Sequence, residues 1–152
     1  MRHISKFTLL LSMAVVFVSL GSGCAVNRAT AKLVGDANLS NVKKIYVVKF
    51  EPDKRDLNKL IADQLAKMGY EATTGPESEI PKGVDAVASY RDKWMWDITN
   101  YMIELTITLK DPENKYALAV GNSYHTSLSR KSPEEMIQEV LTNIFKNAKK
   151  GS

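Results

Sequence analysis

The side chains that could do chemistry are few and widely spaced. Cys24 is the only cysteine in 152 residues, so no intramolecular disulfide can form. The two histidines are His3 and His125. His125 stands among Ser123, Tyr124 and Thr126, an order that matches no nucleophile–base–acid triad, and one histidine without cysteine makes a zinc site only with carboxylate help. Its expected place is the end of a strand, on or near the surface. Gly75, Gly83 and Gly121 lack the spacing of a phosphate-cradling loop, and Asp92 and Asp97 give no sign of an acid–base pair. These residues predict no catalytic group, no metal site and no cofactor, and hence a protein that is not an enzyme.

Trp94-Met95-Trp96, followed by Tyr101, is the most unusual cluster. Two readings stand side by side. The rings could form an aromatic platform for a glycan, a peptide or the membrane interface, where amphipathic rings bind well. Alternatively, both tryptophans end the apolar face of a strand beneath a helix, since they share parity with Ile103 and Leu105 when Trp96 lies opposite Tyr101.

Cys24 gains meaning from what precedes it. Met1 to Lys6 is short and basic, Phe7 to Leu20 is uncharged and mostly apolar, and the small residues Gly21-Ser22-Gly23 follow. This is the layout of a secretory signal over residues 1–23. Its apolar run falls short of the roughly 20 residues a permanent membrane helix needs. The segment resembles the lipobox of bacterial lipoproteins, in which a small residue precedes an obligatory cysteine that receives a diacylglyceryl group. Ser22 and Gly23 fit that pattern. Gly21 departs from it, because the usual leucine sits one place earlier as Leu20. The resemblance implies lipidation of Cys24 and a membrane held through that anchor. Ala25, which is not the aspartate that retains such proteins in the inner membrane, implies the outer membrane, facing the periplasm.

Taking the first 23 residues from 152 leaves 129, enough to bury a core without disulfides. The whole chain carries +4, but Arg2 and Lys6 belong to the signal, leaving 19 basic against 17 acidic residues. The basic residues are scattered. Nucleic-acid binding needs a clustered basic face, so no nucleic-acid partner is expected. Residues 24–42, rich in Ala, Asn, Gly, Ser and Thr, read as a lipidated cysteine and tether, with room for a short strand or turn near Lys32 to Val34.

The domain expected over residues 43–148, ahead of a tail at 149–152, is built from periodicity. Ile45 to Phe50 is β-branched and aromatic on both faces, as in a central strand. Leu57, Leu60, Ile61, Leu65 and Met68 recur at helical spacing, with a carboxylate near the start and Gly69 at the C-terminal cap. Tyr70 to Thr73 could return as a short strand. Strands then follow at about Asp85 to Trp96 and Tyr101 to Lys110, joined by Asp97 to Asn100, with Tyr90 opposite Ile107. Asp111-Pro112-Glu113-Asn114 is the next turn. In the last strand, the register that buries the larger side chains puts Leu118 and Val120 inside, while a slip of one residue would bury Ala117, Ala119 and Gly121 instead. Ser132-Pro133-Glu134-Glu135 is a capping box ahead of a helix whose apolar stripe runs from Met136 to Phe145.

The expected fold is an α+β two-layer sandwich: a mixed four- or five-stranded sheet with two helices on one face, in the order β-α-(β)-β-β-β-α. The open face would carry Val87, Ser89, Arg91, Lys93, Met102, Glu104, Thr106 and Thr108. Behind a lipobox, this layout resembles the small α/β lipoproteins of bacterial envelopes, including periplasmic domains of curli-secretion and TolB-amino-terminal type. The expected function is a membrane-anchored, non-enzymatic binding or assembly module with an envelope protein partner, working through the open sheet face or a strand edge. The alternative is a small-ligand or glycan binder using Trp94, Trp96 and Tyr101.

Overall fold

The computed structural model describes residues 27–148; the signal, Cys24 and the tail at 149–152 lie outside them. The elements are β1 (Asn27–Leu33), β2 (Lys44–Val48), α1 (Leu57–Lys67), β3 (Glu71–Gly75), β4 (Ala86–Trp96), β5 (Asn100–Lys110), β6 (Ala117–His125) and α2 (Pro133–Ala148). Short 3₁₀ turns at Glu77–Glu79 and Ser127–Ser129 interrupt the connections. The strands form one sheet in the order β1-β6-β5-β4-β2-β3, with β2 parallel to β3 and β4 and the other pairs antiparallel.

The sheet is six-stranded rather than four- or five-stranded because residues 27–33, read from the sequence as tether, pair with β6 along their whole length. Asn-Arg-Ala-Thr-Ala-Lys-Leu does alternate from Arg28 to Leu33, with Ala31 and Leu33 packed against the core. Two of its three apolar residues are alanines, however, and the strand is exposed along most of its length, so the signal is weak. Edge strands need only main-chain pairing on one side. No helix among the described residues is long and apolar enough to cross a membrane.

Both helices pack on one face over a single core. Leu57, Ile61 and Leu65 of α1 and Met136, Ile137, Val140, Leu141 and Ile144 of α2 join Ile45, Val47, Leu105, Ile107 and Leu109 there. Each such side chain contributes on the order of 1.5–3 kcal/mol by leaving water. Local signals set the helix ends. The Ser132 amide donates to the Glu135 carboxylate at 2.8 Å, and the Glu135 amide to Ser132 Oγ at 3.2 Å, completing the capping box. Gly69, at φ +94°, closes α1 as Tyr70 N–H donates to the Leu65 carbonyl. At the start of α1 the acceptor is Asp53, whose carboxylate takes the amides of Arg55 and Leu57, both at 2.7 Å. Asp56 instead pairs with Lys59 at 3.0 Å.

Two register expectations are corrected. Tyr90 does face Ile107, but β4 and β5 shift between Lys93 and Trp94, so that Trp94 lies opposite Met102 and Trp96 opposite Asn100. Ile103 is the extra residue of a bulge, which reverses parity and brings Met102, not Ile103, into the core. Met102 thereby leaves the open face where its alternation had placed it. The connecting loop shortens to residues 97–99.

In β6 the inward residues are Ala119, Gly121, Ser123 and His125, the register that buries the smaller side chains. Helix α2 decides this. A Cβ built on Gly121 would lie 2.7 Å from Val140 Cγ1 and 2.9 Å from Ile144 Cγ1. The helix lies too close for Leu118 or Val120 to face it.

Candidate functional site

The two ends of the sheet carry different surfaces. At one end, on the face turned from the helices, a cleft of ≈ 330 Å³ lies beyond β2, beside the start of β4 and the end of β5. Val87, Ser89 and Arg91 share this face with Lys110, which pairs across from Val87. Phe50, Pro52, Ile80 and Pro112 give it apolar walls. Its volume falls in the range of small-molecule and side-chain pockets.

The groups around the cleft are held by short links. Arg91 lies 4.1 Å over the Phe50 ring and donates to the Tyr90 carbonyl at 2.8 Å. Lys115 reaches Glu77 at 3.2 Å, tying the β5–β6 turn to the 3₁₀ turn across the rim. Asp111 uses one carboxylate oxygen to accept the Glu113 and Asn114 amides, which shapes the turn. Lys110 has no ion-pair partner among the described residues.

The wall at residues 49–53 is pinned from beneath. Tyr90 Oη donates to Asp53 at 2.7 Å and accepts the Phe50 amide at 3.3 Å. Burial disfavours the Asp53 carboxylate, but hydrogen bonds from Tyr90, Arg55 and Leu57 outweigh it and hold Asp53 below its ordinary range. Burial and the same partner push the Tyr90 hydroxyl up. Tyr90→Phe is therefore expected to cost about 1–2 kcal/mol. Urea unfolding should show it as a lower midpoint at unchanged slope.

At the other end the β4–β5 hairpin projects past β6. Trp96 is 72% exposed, Ile98 91% and Met95 43%. Trp94 is partly buried against the core, with its Nε1 donating to Asp92 at 2.6 Å and Arg55 lying 4.0 Å over its ring. Tyr101 faces Met95 across the hairpin and so lies on the opposite side from Trp94 and Trp96. Arg130 covers its ring at 4.0 Å while bonding Asp97 and Thr99. The three aromatic residues therefore do not share one platform. The bulge at Ile103 separates them.

His125 is buried rather than near the surface. Its Nε2 lies 2.8 Å from Glu139 Oε2, which also accepts Ser123 Oγ at 2.7 Å, while Lys131 donates to Oε1 at 2.7 Å. His125 Nδ1 is buried with no partner among the described residues. Burial works against the Glu139 carboxylate, but the His125, Lys131 and Ser123 hydrogen bonds bring it down to about 2. Both Ser123 and His125 hydrogen-bond the same carboxylate oxygen, so the serine is not held as a nucleophile by the histidine. The group fastens α2 to β6. Sequence reading missed it because Glu139 lies 14 residues from His125, one helix turn past the capping box. No group of three or more His, Cys, Asp or Glu side chains able to hold a metal is found among the described residues.

No protein-family model and no curated protein matches the chain. Among solved structures, the PelC dodecamer from Paraburkholderia phytofirmans in space group P6 is similar at TM-score 0.58 and 18% identity, over 77% of this chain and 98% of that one. A single-substitution form of the same dodecamer, in space group C2, gives the same score and identity over 76% and 97%. TolB from Acinetobacter baumannii overlaps at TM-score 0.44 and 14% identity, over 75% of this chain and 30% of that one, too loosely to weigh. At this identity the likeness is one of fold: the chain shares the α+β architecture of PelC.

Proposed function

We propose that this protein is an envelope lipoprotein, anchored to the membrane through acylated Cys24, that works as a non-enzymatic binding module. The cleft is its binding site. The carrying observation is that the open face of the sheet holds a pocket with apolar walls and a mixed charged lining. In that lining Lys115 pairs with Glu77 and Lys49 with Asp56, and Glu51 and Asp111 also stand there, while Arg91 and Lys110 have no carboxylate partner among the described residues. That combination suits an extended protein segment presenting an acidic side chain beside an apolar one. The signal and lipobox-like sequence before Cys24 support the location. The PelC fold supports it only as a scaffold, although a dodecamer of that fold makes self-association one way in which such a module could act.

A photocrosslinking residue placed at Ser89, inside the cleft, tests this in intact cells against one at Thr106, on the same face outside it. One dominant protein adduct is expected from position 89, and it should be lost when Arg91→Glu and Lys110→Glu are combined. Equal adducts from both positions, or an adduct indifferent to the charge reversal, would reject the cleft as the binding site.

A further inference from the structure

The start of the described chain and the exposed hairpin tip lie at the same end of the sheet. Asn27 pairs with His125, and Ser129 Oγ donates to its side chain. Arg130, one residue on, holds Asp97 and Thr99 at the tip. Leu128, 81% exposed, adds an apolar side chain beside that link.

The distances match as well. Cys24 is three residues before Asn27, a reach of at most about 10 Å. His125 is level with Ile103, because Tyr124 pairs with Glu104, so Ile98 projects roughly 15 Å past Asn27. An acyl anchor at the bilayer interface would then leave the tip at least about 5 Å deeper, reaching the depth at which interfacial apolar faces sit.

The form of the tip favours lipid over a protein face. Met95 and Trp96 are consecutive strand residues and point to opposite sides, while Ile98 caps the apex. Apolar side chains therefore project from both sides and the apex of the tip, beside the exposed polar residues Asp97, Thr99 and Asn100. A one-sided partner would need only one of these faces. Its carboxylate, Asp97, is paired with Arg130, which lowers the cost of approaching the headgroups.

The geometry points to a second membrane contact: the β4–β5 tip, with Trp96, Ile98 and Met95, enters the bilayer to which Cys24 is anchored. This rests on the reading of Cys24 as acylated. Insertion would fix the orientation of the domain and turn the cleft, at the far end of β4, away from the membrane.

The mature chain, reconstituted in phosphatidylethanolamine–phosphatidylglycerol vesicles whose acyl chains carry bromine, provides the test through tryptophan fluorescence. Trp94→Phe leaves Trp96 as the reporter, and its emission should fall at least twofold relative to unbrominated vesicles. Trp96→Phe, reporting Trp94, should change little. The intact mass of the same preparation separates the two readings. An acylated chain with unquenched Trp96 overturns the tip contact while the anchor stands. An unacylated chain overturns the anchor, and the tip contact with it.

Discussion

Gly121→Ala is expected to lower the unfolding free energy by about 1–3 kcal/mol, and Gly121→Val by more, enough to leave little folded protein. A glycine in a strand ordinarily weakens it, so adding a side chain would stabilise the strand if the position faced solvent. Here the new Cβ would meet Val140 and Ile144 at 2.7 and 2.9 Å, inside any normal contact. Because helix α2 must move, Val140→Ala should recover part of the loss in Gly121→Ala. A double-mutant cycle by urea unfolding reads that coupling. A neutral or stabilising Gly121→Ala would mean that the other register of β6, with Leu118 and Val120 inside, is the true one.

Glu139→Gln should cost on the order of 2–4 kcal/mol at neutral pH, because a charged acceptor of three side-chain donors is lost next to a buried histidine. The same group makes stability depend on pH. Its carboxyl is lowered from 4.5 to about 2 in the folded state, so its contribution is fully present above about pH 4.5. It is lost progressively as the pH falls through the folded value near 2. The gap between wild type and Glu139→Gln, measured by unfolding at several pH values, should therefore be widest at pH 6 to 7 and close towards pH 2. A gap that stays constant over this range would show that the carboxylate charge is not what the three donors hold.

Much of the fold was legible because local rules and tertiary packing agreed. The capping box at Ser132, the glycine closing α1, the alternation of β5 from Leu105 to Leu109 and the Tyr90–Ile107 pair all stand in the structure. What failed did so where two elements press on one another. Side-chain size chose the register of β6 on the sequence alone, but the closeness of α2 rewards the small residues. No local signal marks the Ile103 bulge, since both parities of residues 101–103 are apolar. β1 escaped because its alternation is carried by Ala29, Ala31 and Leu33, two of them too small to stand out as a buried face.

The candidate sites were legible in part. Trp96 stood out as an aromatic near a hairpin tip, and it is exposed there. Its grouping with Tyr101 failed with the register. The open face was foreseen through Val87, Ser89 and Arg91, but the cleft also needs Phe50, Ile80 and Lys110, which come from three separate segments. The Ser123–His125–Glu139 group joins a strand to a helix over a spacing that no short motif encodes.

Cys24 underlies both the proposed location and the orientation of the domain. Intact-mass spectrometry of the protein extracted from the membranes of cells producing it should find a chain that begins at Cys24, lacks residues 1–23 and carries acyl chains on that residue. A chain that starts elsewhere, or one with an unmodified Cys24, would contradict the anchor and the orientation built on it.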